Sequence, residues 1–102
     1  MRIEIIGEDE STNVQVRTYA EYRLFSILAR YTRLIRRARV VLRQPARDGS
    51  RDKFGCAVTV ILEPSGVVRT RATAGHAYAA IDRAVARIGD LMSQRAAQRL
   101  SS

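Results

Sequence analysis

Arginine is the residue of this chain whose chemistry is most telling. Lysine and arginine number 18 against 10 aspartates and glutamates, giving a formal net charge of +8, and Lys53 is the only lysine. A guanidinium group holds phosphate through two parallel hydrogen bonds and stacks on bases, and a lysine ammonium does neither as well. This excess predicts a polyanionic partner, although a solubilising role or a GC-rich genome would also enrich arginine.

The spacing of the arginines places many of them on the polar sides of two predicted helices. Arg83 and Arg87 are four residues apart and share a helix face, and Arg95 and Arg99 repeat this spacing. Two helices side by side on one sheet would bring these rows together into a basic groove or ridge that suits a folded RNA backbone. The predicted RNA-binding residues are Arg23, Arg30, Arg33, Arg36, Arg37, Arg83, Arg87, Arg95 and Arg99.

A second set of arginines alternates with apolar residues on two predicted strands. If the apolar sides face the helices, this set lies on the open face of the sheet, where it either binds RNA or keeps that face solvated. Base stacking on a sheet needs aromatic residues on its strands, and only Phe54 lies on one. Backbone and shape recognition is therefore favoured over stacking. The sheet set consists of Arg39, Arg43, Arg69 and Arg71.

The sequence contains no recognisable catalytic or metal-binding set. The single histidine, His76, has no cysteine or carboxylate cluster at ligand spacing, and a local capping role or a solvent-exposed position is favoured for it. Cys56 lies inside a predicted strand, which favours a buried core residue over a nucleophile. We therefore expect no enzymatic activity, no cofactor and no metal. A lone cysteine, no signal peptide and no transmembrane stretch predict a cytoplasmic protein without a membrane partner.

Periodicity predicts the elements that must position these side chains. Ile3 and Ile5 alternate in a first strand over residues 2–6, and Asn13 is the expected cap of the following helix, with Ser11 and Thr12 as rivals. Glu63-Pro64-Ser65-Gly66 predicts a type I turn that joins the last two strands. The predicted elements after the first strand are a helix over Val14–Leu34, strands over Ala38–Leu42, Phe54–Leu62 and Val67–Ala74, and a helix over Ala77–Gln98.

The resulting fold class is α+β, with the order β-α-β-β-β-α. Both helices carry an apolar stripe, and one face of a four-stranded sheet can bury the two stripes. Gly89 interrupts the second stripe and weakens that helix by about 1 kcal/mol relative to alanine. The 102 residues fit a single domain over 1–102, in which residues 97–102 are expected to form a frayed tail.

The start of the second helix carries a family resemblance. The segment from Gly75 to Asp82 is similar to the E-D-M-Y-x-A-I-D signature of the ribosome hibernation promoting factor family, which includes the ribosome-associated inhibitors and sigma-54 modulation proteins. The remaining features follow the same order as in the family: an opening I-x-I strand, a first helix with Arg17, Arg23 and Leu24, a V-V-L strand and a Gly66-Val67 hairpin. Gly75, His76 and Ala77 replace the acidic pair and the methionine of that signature.

The resemblance implies a fold similar to double-stranded RNA-binding domains and a short form of the family. It implies binding to 16S rRNA in the decoding region of the small ribosomal subunit, where the protein inhibits translation. By position, Arg23, Arg30, Arg83 and Arg87 match basic residues of the family's helices, whereas Ser26, Asp90 and Gln94 replace others. A second hibernation factor as partner remains open. The alternatives are a general double-stranded RNA-binding domain and a protein-interaction module that regulates a stress or transcription factor.

Overall fold

Two helices and four strands make up the described part of the chain. The computed structural model describes residues 1–7, 13–44 and 54–100, with side chains through residue 98. Pro45 and residues 47–50 predict a loop from their sequence. This segment and the rival caps Ser11 and Thr12 lie outside the described residues. The elements are β1 (Arg2–Gly7), α1 (Val14–Leu28), a 3₁₀ helix (Ala29–Leu34), β2 (Ile35–Arg43), β3 (Phe54–Leu62), β4 (Val67–Ala74) and α2 (Ala77–Leu100).

The strands form one mixed sheet in the order β1-β2-β3-β4. The first pair, β1 and β2, is parallel, and the other two pairs are antiparallel. The strands β1 and β4 therefore run in the same direction, and α1 and α2, which each return from one of them, run parallel to each other. The predicted α+β class and the β-α-β-β-β-α order are confirmed.

The core lies between the helices and one face of the sheet. On β3 the alternate residues from Cys56 to Leu62 are buried, and Gly55, Ala57, Thr59 and Ile61 turn to the opposite, open face. Hydrophobic burial is the main force that fixes the helices on the sheet. The side chains that the helices contribute to the fully buried core include Leu24, Leu28, Ile81, Val85, Ile88 and Met92.

The first helix is shorter than the sequence predicts. Asn13 caps it as expected, because its side chain accepts a hydrogen bond of 2.8 Å from the Val16 N–H. The α-helix ends at Leu28, and the 3₁₀ helix contains a non-helical residue, Tyr31. This tighter segment allows Ile35, which is buried, to start β2 three residues before the predicted Ala38.

The connection between β3 and β4 is a hairpin, as predicted. The Glu63–Pro64 peptide bond is cis. The Leu62 N–H donates to the Gly66 carbonyl at 2.9 Å, and the Glu63 N–H donates to the Leu34 carbonyl at 2.8 Å. Gly66 has a φ of 113°, a conformation that favours glycine. The turn is thus bonded to the end of the 3₁₀ helix.

Candidate nucleic-acid interface

The two helices meet through a cluster of polar side chains that includes one of the predicted arginines. The Tyr19 hydroxyl donates to Asp82 Oδ1 at 2.7 Å, and Arg23 Nε donates to the same oxygen at 3.1 Å. Tyr19 also contacts Tyr78 edge to face, with ring centroids 4.8 Å apart. The hydrogen bond to Asp82, with burial, raises the pKa of Tyr19. Arg23 is therefore held at the helix junction by a carboxylate.

The next two arginines of the predicted set, Arg30 and Arg33, lie on the 3₁₀ helix that follows α1 and have no carboxylate partner among the described residues. Arg30 lines the groove between α1 and α2, together with Asp90 and Ser93 of the second helix. Arg33 is exposed on the 3₁₀ helix. Neither forms an ion pair with a described residue. These two guanidinium groups keep their hydrogen-bond donors available to a ligand.

Arg36 and Arg37 are neighbours in sequence but lie in different environments. Arg36 forms a two-pronged ion pair with Glu63, with Nε 2.8 Å and Nη2 3.3 Å from its two carboxylate oxygens. This hydrogen-bonded pair raises the pKa of Arg36 and lowers the pKa of Glu63. Arg37 aligns with Arg2 and Ile61 on the open face of the sheet, away from the helices. The structure does not bring Arg37 together with the helical arginines.

Arg83 and Arg87 lie on the side of α2 that borders β4. Arg83 Nη1 donates to the Thr73 carbonyl at 2.8 Å, and Arg87 Nη1 donates to the Arg71 carbonyl at 2.7 Å. These bonds satisfy two carbonyl groups of an edge strand. The expected single groove between two arginine rows is therefore not what the helices form, because the α2 row turns to β4 while Arg30 faces the groove.

The remaining predicted residues lie toward the end of α2. Arg95 is exposed and lines a pocket beside the β3–β4 turn, with Glu63 and Pro64. The side chain of Arg99 lies outside the described residues. The described members of the predicted set thus divide into a junction group, a turn group near Glu63 and a group at the β4 edge, and Arg37 lies apart from all three on the open face of the sheet.

The second arginine set lies on the open face, as its alternation predicts. Arg39 and Arg69 flank Thr59 in one register row, and Arg71 aligns with Ala57 in the next. The aliphatic part of the Arg43 side chain packs against Gly55. A Cβ added at Gly55 would lie 3.5 Å from the Arg43 Cβ. Helices and sheet face therefore carry arginines on opposite sides of the molecule.

The cysteine and the histidine of the described residues both have structural roles. Cys56 is buried, as predicted for a core residue, and burial raises the pKa of its thiol to about 12. His76 Nδ1 accepts from the Ala79 N–H at 3.3 Å, which is the predicted capping role. No group of three potential metal ligands occurs among the described residues. None of the helices in the same part of the chain is long and apolar enough to cross a bilayer.

Sequence patterns alone did not identify the two carboxylates that pair with the predicted arginines. Asp82 lies 59 residues from Arg23, and Glu63 lies 27 residues from Arg36. Asp82 was visible only as the last residue of the family-like segment, and Glu63 only as part of a turn. Pairing over such separations depends on the packing of α1 on α2 and of the turn on the 3₁₀ helix.

Comparison with known proteins identifies the family of the chain. The crystal structure of the Thermus thermophilus protein Y N-terminal domain is similar at 32% identity and a TM-score of 0.74, covering 92% of this chain and 98% of that one. A ribosomal subunit interface protein from Coxiella burnetii shares the fold, at 18% identity and a TM-score of 0.79, covering 95% and 99%. A search of curated proteins gave no match. Residues 3–99 match the model of the family described as sigma 54 modulation protein / S30EA ribosomal protein, and the chain belongs to that family.

Proposed function

We propose that this chain is a ribosome-associated translation inhibitor, a hibernation factor that binds 16S rRNA in the decoding region of the small ribosomal subunit. The observation that carries this proposal is the family match over residues 3–99. The similarity to a ribosomal subunit interface protein supports it. In this proposal the protein acts in the cytoplasm, without catalysis, by occupying the path of tRNA and mRNA.

The arginines supply the electrostatic part of the mechanism. Arg30 and Arg33 are exposed and have no ion pair with a described residue, so they can neutralise rRNA phosphates. Arg83 and Arg87 each donate one nitrogen to a backbone carbonyl, which orients the guanidinium and leaves other N–H groups for a phosphate. Arg23, Arg36, Arg37, Arg95 and Arg99 remain proposed contacts of the same kind.

Co-sedimentation with purified small subunits tests the proposal. We expect the protein to pellet with the subunits at low salt and to dissociate steeply as salt rises, because each phosphate contact releases counterions. A plain RNA duplex should compete poorly. Equal competition by the duplex would indicate a general double-stranded RNA-binding domain instead, and salt-independent binding would indicate a protein partner. The pellets also show whether a second hibernation factor is required, since purified subunits contain none.

A charge-reversal variant locates the contact. Arg30→Glu/Arg33→Glu should reduce subunit binding by at least about 100-fold at 0.1 M salt, since two phosphate contacts become repulsive. These side chains have no ion pair with a described residue, so the fold should survive. The matched control is Arg17→Glu, an exposed site near the start of α1 that lies outside the proposed set. If both variants bind like the unchanged protein, the helical surface is not the contact.

A further inference from the structure

The open face of the sheet has a shallow groove that is formed by β2, β3 and β4. Three of the four outward residues of β3, namely Gly55, Ala57 and Thr59, are small, and arginines on β2 and β4 lie on either side of them. The fourth outward residue, Ile61, lies at one end of this row. Register rows join Arg39 to Arg69 through Thr59, and Val41 to Arg71 through Ala57. We name this feature the arginine trough: its floor is Gly55, Ala57 and Thr59, and its walls are Arg39, Arg43, Arg69 and Arg71.

The dimensions of the trough follow from sheet geometry. Neighbouring strands are about 4.8 Å apart, so the backbones of the two walls are separated by about 10 Å across β3. Alternate residues on one strand are about 7 Å apart, which is the spacing of Arg69 from Arg71, and Arg39 and Arg43 on the opposite wall are about twice that distance apart. Guanidinium groups in two such rows can contact a chain of regularly spaced anions that runs along the floor.

Within the four strands, few carboxylates share the open face with the arginines. Among the outward residues of the four strands the one carboxylate is Glu4, which accepts from Arg39 at 3.3 Å and lies 3.9 Å from Arg2. Arg69 and Arg71 are exposed and form no ion pair with a described residue. Their side chains are therefore charged, accessible and held on a rigid strand.

We propose that the arginine trough binds the sugar–phosphate backbone of an RNA strand, as a surface separate from the helical arginines. Arginine matches phosphate through paired hydrogen bonds, and a small-residue floor admits a polymer backbone between the walls. The outward positions of the described strands carry no aromatic ring, so the contact is to phosphates and sugars and is independent of base sequence. This surface goes beyond the proposed function, which rests on the helices.

Binding of a fluorescent 20-nucleotide oligouridine, followed by anisotropy over a range of salt concentrations, tests the trough. For Arg69→Ala/Arg71→Ala we expect the slope of log affinity against log salt to fall by about 1.4, because each lost single-strand contact removes about 0.7. The dissociation constant at 0.1 M salt should rise about 10-fold or more. Both side chains are exposed, and the Arg71 carbonyl that accepts from Arg87 is retained in the variant.

Matched variants separate the trough from the helical surface. Arg17 is exposed and belongs to neither surface, so Arg17→Ala should leave the slope of log affinity against log salt unchanged. Arg30→Ala/Arg33→Ala should lower this slope independently of the trough. If Arg69→Ala/Arg71→Ala leaves the slope unchanged, the trough does not bind RNA, even where subunit binding by the helices persists. If polyglutamate displaces oligouridine at equal charge, the trough is a site for acidic peptides and the proposal is wrong.

Discussion

An arginine side chain offers five N–H donors, and how each arginine divides them decides what it can bind. Arg36 commits two nitrogens to Glu63, whereas Arg83 and Arg87 commit one each to a backbone carbonyl. A carboxylate partner cancels charge and competes with a phosphate, but a carbonyl partner only fixes the direction of the side chain. The paired and the carbonyl-bound arginines should therefore respond differently when a neighbouring group is changed.

For Arg36 this difference predicts that removing the negative charge of Glu63 strengthens binding to the small subunit. Glu63→Gln removes the carboxylate that Arg36 holds and should tighten binding of small subunits by up to about fivefold, the range set by exposed ion pairs. Arg36 lowers the pKa of Glu63, so the glutamate stays ionised near neutral pH and keeps competing there. Co-sedimentation at fixed salt measures the change.

Glu21→Gln is the control for this change, because Glu21 is exposed on α1 and has no ion pair with a described residue. It removes the same unit of negative charge and should change binding less than Glu63→Gln does. Equal effects of the two variants would mean that net charge alone acts, and that Arg36 makes no specific contact with the RNA.

At the level of elements, hydrophobic period and turn residues were sufficient to predict the order, the type and most bounds of the elements. The helical spacing of apolar residues could not show where α1 ends. Tyr31 and Leu34 continue this spacing, although the backbone at these residues forms a 3₁₀ helix. Alternation correctly placed Arg69 and Arg71 on the open face. The helical spacing of Arg83 and Arg87 fixed a shared face but not its neighbour, which depends on how α2 is rotated on the sheet.

Gly89 has a packing role that its low helix propensity does not indicate. Sequence considerations treat it as a weak point of α2, but a Cβ at Gly89 would lie 3.0 Å from Ile27 Cγ2 of α1. Glycine therefore allows the two helices to approach closely. The gain from higher helix propensity and the cost of the close contact should oppose each other when a methyl group is added.

A double-mutant cycle on Gly89 and Ile27 measures this opposition. Gly89→Ala should stabilise the protein by less than about 1 kcal/mol in the unchanged background, and by the full value of about 1 kcal/mol when Ile27 is alanine. Urea unfolding gives both free energies, and Ala86→Gly at an exposed α2 position calibrates the local propensity difference. Equal gains in the two backgrounds would show that Ile27 does not restrict the site.

The whole molecule has arginines on both of its broad sides. The helical side carries Arg30 and Arg33, and the arginine trough lies on the opposite face of the sheet, with the hydrophobic core between them. A ligand on one side leaves the other accessible. If both surfaces bind RNA, one copy of the chain holds two RNA segments, which would fix it more firmly between structured RNA elements than either surface alone.

Energy transfer between two RNA molecules tests this arrangement. A donor-labelled fragment of the 16S rRNA decoding region and an acceptor-labelled oligouridine should show transfer when protein is added at concentrations where it sediments as a monomer. Arg30→Ala/Arg33→Ala and Arg69→Ala/Arg71→Ala should each abolish the transfer while keeping partial binding to one RNA, because each leaves one surface intact. Arg17→Ala should keep it. Binding of both RNAs without transfer, or transfer that survives loss of either surface, would show that the two sides do not act as separate sites.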